Sequence, residues 1–423
     1  MRAMKDSGVE WIGEIPQDWE VTKISTVYQE RNTKVSDKEY TPLSVTKFGI
    51  VPQLETAAKT DNGDNRKLIK KNDFVINSRS DRRGSCGISE YDGSCSLINI
   101  VLEPRQDMCN KYYNFVFKSE LFSDEFYRWG NGIVDDLWST KWSNMKNIYI
   151  PFPHLERQQH IANYLNSRCS KIDSIIGKQQ AVIEKLKEYK LSVITEVVTK
   201  GLNPDVEMKD SGVEWLGEVP KHWEVKKLRY VGLCQNGISK SGEFFGTGYP
   251  FVSYSDVYKN IELPKVVSGK LESTEKEREL YSVVIGDIFF TRTSETIEEI
   301  GFSSVCLSTI ADATFAGFLI RVRPFKGIIN PNYAKYYFRS QKHREFFVKE
   351  MNLVTRASLS QELLKRLPVL IPNLSEQEVI SNYLDGICEQ IERRIVNKLK
   401  MINKLLEYKK SLIYEVVTGK KEV

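Results

Sequence analysis

Histidine is scarce in this 423-residue chain: His154, His160, His222 and His343 are the only four, and they do not cluster. A structural or catalytic zinc needs three or four ligands at close spacing, so no metal site is expected. The seven cysteines are odd in number and form no C-x-x-C pair. They read as free thiols of a reducing compartment, not as a disulfide framework. No run of about 18 apolar residues exists, so no helical membrane span is expected. Met1 to Glu10 is charged and has no apolar signal core, which makes the cytoplasm the expected location and a membrane no partner. The phosphate loop G-x-x-x-x-G-K-[ST] is missing, and Gly246-Thr-Gly248 is followed by Tyr-Pro, which breaks the dinucleotide fingerprint. An adenine methyltransferase needs an Asn/Asp-Pro-Pro-aromatic loop to hold a flipped base. The nearest stretch, Asn330-Pro-Asn-Tyr333, lacks the second proline and runs into Ala334–Phe338, so it reads as a helix start. No catalytic residue and no cofactor held by this chain are expected.

Charge of one sign is also in short supply. The net charge is +5, which permits nucleic-acid binding without demanding it. Residues 1–150 carry 21 Lys+Arg against 22 Asp+Glu. Any DNA-binding surface there must therefore be a local patch. With 41% hydrophobic and 28% charged residues, the chain has enough apolar material for real cores. Its length suggests two or three domains at about 150 residues each.

What the sequence does have is a repeat. Met4–Ser25 and Met208–Arg229 are identical at 15 of 22 positions, at an offset of 204. Ile161–Lys200 and Ile380–Lys420 match at an offset of 219, with Tyr164 against Tyr383 and Tyr189 against Tyr408. The second interior is thus 15 residues longer, and the two interiors hardly resemble each other. Similar frames hold dissimilar inserts.

Glu156–Val198 has no proline and one glycine, Gly177. Apolar residues recur by 4 and 3 along Ile161, Leu165, Arg168, Ile172, Ile175, Gln179, Val182, Leu186, Tyr189, Val193 and Glu196. The second copy runs Ile380, Leu384, Ile387, Ile391, Arg394, Lys398, Met401, Leu405, Tyr408, Leu412 and Glu415. A repeat of 3.5 residues predicts a coiled-coil seam, on helices of roughly 60 Å. The economical partner for each helix is the other copy, in antiparallel pairing. Arg168, Gln179, Arg394 and Lys398 interrupt the seam and either fix its register or face a third helix. Ile176, Ile183, Ile395 and Ile402 lie beside it and widen it, which hints at a bundle of more than two helices. By the repeat, the end of the second helix should lie where the first Met-Lys-Asp-Ser-Gly copy begins.

With these features the whole chain resembles the specificity subunits of Type I restriction–modification systems. The resemblance is carried by the alternation of variable insert and similar helix. It is carried also by Lys200-Gly-Leu-Asn-Pro204 leading into the second repeat up to Pro220-Lys-His-Trp223, and by Pro42–Thr46. A Gly-Asp or Asn-Asp turn precedes a strand ending near arginine in both halves (Asp73–Arg79; Gly286–Arg292). It implies an α+β fold: two globular α/β target recognition domains separated by two long helices that form an antiparallel coiled coil, with pseudo-twofold internal symmetry. The implied division is 1–154, first recognition domain; 155–201, first helix; 202–374, second recognition domain; 375–423, second helix. It implies that each domain reads one half of a bipartite double-stranded DNA target. The helices would dock two modification subunits that carry S-adenosylmethionine and methylate adenine N6. Restriction subunits, with ATP and Mg, can join them.

Base reading needs donors and acceptors at groove edges, with phosphate contacts setting register. In the first insert the candidates are Arg79, Ser80, Arg82 and Arg83, then Ser139, Thr140 and Lys141 between Trp138 and Trp142, with Thr46 and Lys47 behind them. In the second they are Ser239, Lys240 and Ser241, Tyr254, Arg292 and Thr293, and Thr355 and Arg356. Arg292 repeats the strand-end position of Arg79. The competing reading of each is ordinary: salt-bridged arginines, buried tryptophans, plain surface. Tyr112–Phe117 and Tyr333–Phe338 read as core-facing helices. The alternative for the whole protein is a coiled-coil interaction scaffold without DNA specificity, which leaves the unlike inserts unexplained.

Overall fold

The structure, a computed structural model, describes residues 2–54, 63–105, 108–133, 138–294, 300–350 and 357–423. It divides into two compact units. One holds Met1–Gln180 and Lys398–Val423, the other Ala181–Asn397. Both divisions fall inside a long helix, so each unit contains one half of each helix. Either unit is built from the frame inwards.

The repeated segments fold identically. Met4–Asp6 pairs antiparallel with Glu14–Pro16, Met4 opposite Pro16, and Met208–Asp210 pairs with Glu218–Pro220, Met208 opposite Pro220. The strand that follows each hairpin, Glu20–Lys23 or Glu224–Lys227, pairs with the strand entering the long helix, Tyr149–Phe152 or Pro368–Ile371. Trp19 and Trp223 are fully buried beneath these ribbons.

The inserts, unlike in sequence, share a four-stranded antiparallel sheet. In the first unit it is made of β1 (Tyr28–Glu30), β2 (Phe74–Asn77), β3 (Cys86–Ile88) and β4 (Asn99–Pro104), in the order β3-β2-β4-β1. In the second it is made of β5 (Gly232–Asn236), β6 (Ile288–Thr291), β7 (Ser303–Val305) and β8 (Leu319–Pro324), in the order β7-β6-β8-β5. The topology is the same. The central strands are apolar runs, Phe-Val-Ile and Ile-Phe-Phe, buried on both faces. Each is entered through a residue of positive φ, Asn72 at 72° and Gly286 at 90°, the conformation that favours Asn and Gly. The next residue is a buried aspartate that ties the turn down. Asp73 accepts from the Lys70 N–H at 2.8 Å, and Asp287 from the Val284 N–H at 2.9 Å. Each holds an arginine, but from a different strand position: Arg31 beyond β1 in one, Arg323 within β8 in the other. The smaller sheets diverge: Lys34–Val35, Arg66–Ile69 and Gly93–Cys95 are all antiparallel, whereas Phe251–Val252 runs parallel to Thr314–Phe315.

The aromatic segments are core helices, as expected: α1 (Asn110–Lys118) and α3 (Pro331–Tyr337), separated by the long helix α2 (Leu155–Lys200), with α4 (Leu374–Val417) last. Tyr112 and Tyr333 are equivalent and buried, and each donates its hydroxyl to a carbonyl at a long helix's C-terminal end, Val417 at 2.7 Å and Val198 at 3.4 Å. At the helix starts Gln158 and Gln377 donate to Pro153 and Pro372 and accept from the N–H groups of Cys109 and Asn330. Gly201 and Gly419 end the helices at φ 77° and 74°, the left-handed C-terminal cap.

Within each unit the helix halves run antiparallel. In the first, Lys409 bonds Asp173 at 2.7 Å, and Arg157 donates to the carbonyl of Val423. In the second, Lys190 pairs with Glu392, and Gly201 lies against Glu376. The offset of 219 maps Asp173 onto Glu392 and Lys190 onto Lys409, so one cross-helix ion pair is made twice. The C-terminal segment sits on the first repeat: Tyr414 donates to the carbonyls of Trp11 and Ile12, and Gly419 lies against Pro16 and Trp19.

The phase of the seam differs from the sequence expectation. Cys169, Ile176, Ile183 and Val197 are buried, and Lys190 is half-buried, whereas their neighbours Arg168, Ile175, Val182, Tyr189 and Glu196 face solvent. In α4 the inward positions are Cys388, Ile395, Ile402, Lys409 and Val416, while Arg394, Met401 and Tyr408 face solvent. Heptads spaced 4-3 and 3-4 share every second position and differ at the one between. With isoleucine at 175 and 176 alike, that pair does not choose; Cys169 over Arg168, Val197 over Glu196 and Ile395 over Arg394 do, and the inward Lys190 and Lys409 are accommodated by reaching across to Glu392 and Asp173. Ile176, Ile183, Ile395 and Ile402 are thus the seam itself. Among the described residues no helix is long and apolar enough to cross a membrane.

Candidate nucleic-acid interface

In the first unit β2 ends at Asn77, whose Oδ1 accepts from the Arg79 N–H at 3.0 Å and starts a loop. Residues Ser80–Arg82 make one 3-10 turn. The loop does not stand alone. The Thr140 N–H donates to the Ser78 carbonyl at 2.9 Å, and Arg79 bridges to Ser139. Two candidate segments about sixty positions apart in sequence are thereby joined as one surface. They line a groove of about 630 Å³ with Arg79, Lys141, Lys146, Ser139, Trp142, Leu97 and Ile98 on its walls. Its exposed cations are Arg79, Lys141 and Lys146. Lys67 lies deeper, held by Glu30 at 3.0 Å.

The second unit repeats the junction. β6 leads through Arg292 into Thr293-Ser294, which pairs with Ala357-Ser358, Thr293 opposite Ser358. The Leu359 N–H donates to the Arg292 carbonyl at 2.7 Å. Thr355 and Arg356, also expected here, lie outside the described residues. Arg292 is half-buried, and its Nε is buried with no hydrogen-bond partner. A buried guanidinium N–H left without an acceptor is costly, which suits a group whose acceptor arrives with a ligand.

The equivalence of Arg79 and Arg292 needs correction by one residue. Ser78 donates to the Ile98 carbonyl and accepts from Thr140; Arg292 donates to the Phe318 carbonyl and accepts from Leu359. Arg292 therefore occupies the place of Ser78, and Thr293 that of Arg79. Successive residues of an extended chain present opposite faces, so the two arginines reach out on different sides of the junction. Counting from the buried aspartates, Asp73 and Asp287, gives this alignment, whereas matching arginine to arginine does not.

Several expected contacts are engaged inside the protein. Thr140 is buried and donates its hydroxyl to the Phe126 carbonyl at 2.6 Å. Arg83 pairs with Asp124 and stacks over Tyr127 at 4.6 Å. Trp138 donates to the Tyr127 carbonyl at 2.9 Å and packs on that ring. Lys240 is held by Glu277 and the Glu272 carbonyl at 2.8 Å each. Tyr254 stacks on Tyr258 and is half-buried. Thr46 closes its hairpin, donating to Gly49 and accepting from Phe48. Lys47, Arg79, Arg82, Lys141, Ser239 and Ser241 are exposed; Arg82 lies 3.4 Å from Asp81 and Ser241 bonds Glu243. The structure adds Lys146, Leu97, Ile98 and Phe318. No sequence signal marks the last three, since apolar residues beside strands read as core.

Among the described residues no group of three His, Cys, Asp or Glu is placed to hold a metal ion. The cysteines are free, and burial pushes the Cys86 and Cys95 thiols up to about 12, so they stay protonated at neutral pH.

Fold and site together define a duplicated DNA-reading frame, two insert domains on paired helices. Residues 16–185 and 220–401 match the family of the Type I restriction modification DNA specificity domain, and the chain belongs to that family. It is 24% identical to the Type I restriction enzyme EcoKI specificity subunit of Escherichia coli, over 93% of this chain and 88% of that one. It is 23% identical to the putative type I restriction enzyme MjaX specificity subunit of Methanocaldococcus jannaschii, over 97% and 95%. In fold it is similar to a chain from a structure of complex assembly and conformational transition of the type I R-M system, with TM-score 0.73, 13% identity, and 96% and 99% of the chains covered. It is similar also to the HsdS subunit from Thermoanaerobacter tengcongensis, with TM-score 0.54, 14% identity, and 96% and 98% covered.

Proposed function

We propose that this chain is the non-catalytic reader of a Type I restriction–modification complex, and that each unit reads one half of a bipartite DNA target through the junction described above. The observation that carries the reading is the recurrence of that junction in two inserts with hardly any sequence in common. In each, a strand-end loop is stitched by backbone hydrogen bonds to the segment that leads into a long helix. Arg79, Lys141 and Lys146 in one unit, and Arg292 in the other, supply charge for phosphates and donors for base edges. The helices carry the spacing between half-sites and dock two modification subunits. Those subunits hold S-adenosylmethionine and methylate adenine N6; restriction subunits bring ATP and Mg. This chain holds no cofactor. The solvent-facing apolar residues of the helices, Ile175, Val182 and Tyr189 in α2 and Met401 and Tyr408 in α4, support a docking role, because exposed apolar stripes on helices mark partner surfaces.

The test is methylation-sensitive sequencing of host DNA with and without the gene, followed by gel-shift of the reconstituted complex. A split motif with a gap of constant length, methylated only when the gene is present, is expected. Absence of any sequence preference would favour the scaffold alternative. Methyl transfer by the purified chain alone would overturn the assignment of chemistry to its partners.

A further inference from the structure

Each junction carries an apolar side chain open to solvent at the same topological place. Arg292 N–H donates to the carbonyl of Phe318 at 2.9 Å, and Phe318 is 64% exposed. At the same topological place in the first unit Ser78 N–H donates to the carbonyl of Ile98 at 3.3 Å, and Ile98 is 38% exposed beside Leu97 at 40%. The two lie in loops of unlike sequence, Ser96-Leu-Ile-Asn99 and Ala316-Gly-Phe-Leu319. Each precedes the central strand β4 or β8. The Gly317 N–H pins the second loop to the Ile238 carbonyl at 2.8 Å, beside the exposed Ser239. Phe318 thus lies across the strand pair from Arg292, next to the loop that carries Ser239, and Ile98 lines a groove with Arg79, Ser139 and Lys141.

An exposed apolar side chain beside a cation and a hydroxyl is poorly matched to water or to phosphate. Duplex DNA offers one apolar group at its readable edges, the 5-methyl of thymine in the major groove. We propose that Phe318 and Ile98 each meet a thymine methyl, so that each unit reads one A·T pair by an apolar contact beside its polar ones. The inference rests on the DNA-reading function proposed above. It adds a base identity to it, and it assigns specificity to residues that carry no hydrogen-bonding group. Burying one methyl is worth about a 3- to 10-fold change in affinity.

The test uses the full chain reconstituted with its modification subunits, on duplexes carrying the methylated target. Each thymine of the two half-sites is replaced in turn by deoxyuridine, which lacks only the methyl. One position per half-site should weaken binding about 3- to 10-fold. Phe318→Ser should abolish that sensitivity in the half-site read by the second unit alone, and Ile98→Ser in the other. Phe318→Leu should keep it. As Phe318 is mostly exposed, its replacement leaves the core untouched. Absence of a sensitive position, or sensitivity that persists in Phe318→Ser, overturns the inference while leaving the reader function standing. A native complex with no sequence preference overturns both.

Discussion

Arg292 and Arg323 lie in the same insert at opposite ends of one pair of inner strands, β6 and β8, and their replacement by alanine should have opposite signatures. Arg323 binds Asp287 through two bonds of 2.7 Å and also donates to the Ser282 carbonyl. Asp287 has no exposure at all. Without Arg323 it keeps a backbone N–H and the field of Arg321 but loses its hydrogen-bonded countercharge. Breaking a buried pair costs about 3–5 kcal/mol, and the partial exposure of Arg323 puts the expected loss near 3. For a unit of this size that is roughly 6–12 °C in Tm. Arg292 has a buried Nε with no partner. Its truncation removes an unsatisfied donor worth about 1–3 kcal/mol and forfeits stem packing of similar size, so stability should stay within about 0.5 kcal/mol of native. Its effect should appear on DNA instead. A lost bidentate base contact costs about 1–3 kcal/mol, roughly 5- to 150-fold, at one half-site only. Urea denaturation and half-site competition in the reconstituted complex read the two quantities separately. If Arg292→Ala destabilises as much as Arg323→Ala, or weakens both half-sites equally, Arg292 is a structural residue and the interface is drawn wrongly.

Gly419→Ala should cost well over 2 kcal/mol, since a Cβ there adds a left-handed backbone to a 2.5 Å clash with Pro16. Gly8→Ala, also at positive φ but with nothing within 4 Å, should cost about 1 kcal/mol, and denaturation midpoints compare them. Deleting four residues within Ala181–Tyr189 shortens the helix by about one turn and should change either subunit assembly or the half-site gap; unchanged stoichiometry and gap would contradict the spacer role. The Cys86 thiol is raised to about 12 by burial, so the folded state binds its proton more tightly than the unfolded one. Its contribution is complete below about pH 8.5 and falls between there and about 12, by about 1.4 kcal/mol per pH unit. The decline of the urea midpoint from pH 8 to pH 10 should therefore be shallower in Cys86→Ala.

Much of the frame was legible because it is written twice. The helices, their partners and the docking of the last segment near Trp11 follow from periodicity and the repeat. The phase of the seam did not, because apolar residues occupy both choices at 175/176 and 182/183, and Tyr189 and Tyr408 point to the wrong phase where Lys190 and Lys409 turn inward to reach Glu392 and Asp173. Which candidate residues reach solvent was equally hidden. Thr140 and Lys240 look like DNA donors in sequence, yet one satisfies Phe126 and the other Glu277, partners far away in the chain. The joining of 77–79 to 139–140 is a tertiary hydrogen bond that no local pattern announces. Phe318 was invisible for the opposite reason, since sequence reasoning assigns phenylalanine to the core.

The docking of Tyr414 and Gly419 on Trp11, Pro16 and Trp19 has a topological meaning. In the second unit Gly201, the counterpart of Gly419, lies likewise against Pro220 and Trp223, but there helix end and repeat are joined through an unbroken chain, Val198 to Met208. In the first the contacts are made by residues at opposite ends of the polypeptide. Each frame is in this sense completed by a helix end and a repeat whose order along the chain does not matter to the contact. A gene reopened between Leu202 and Glu207, with Val423 joined to Met1 by a linker as short as that one, would encode the same two units with the order of their two readers exchanged.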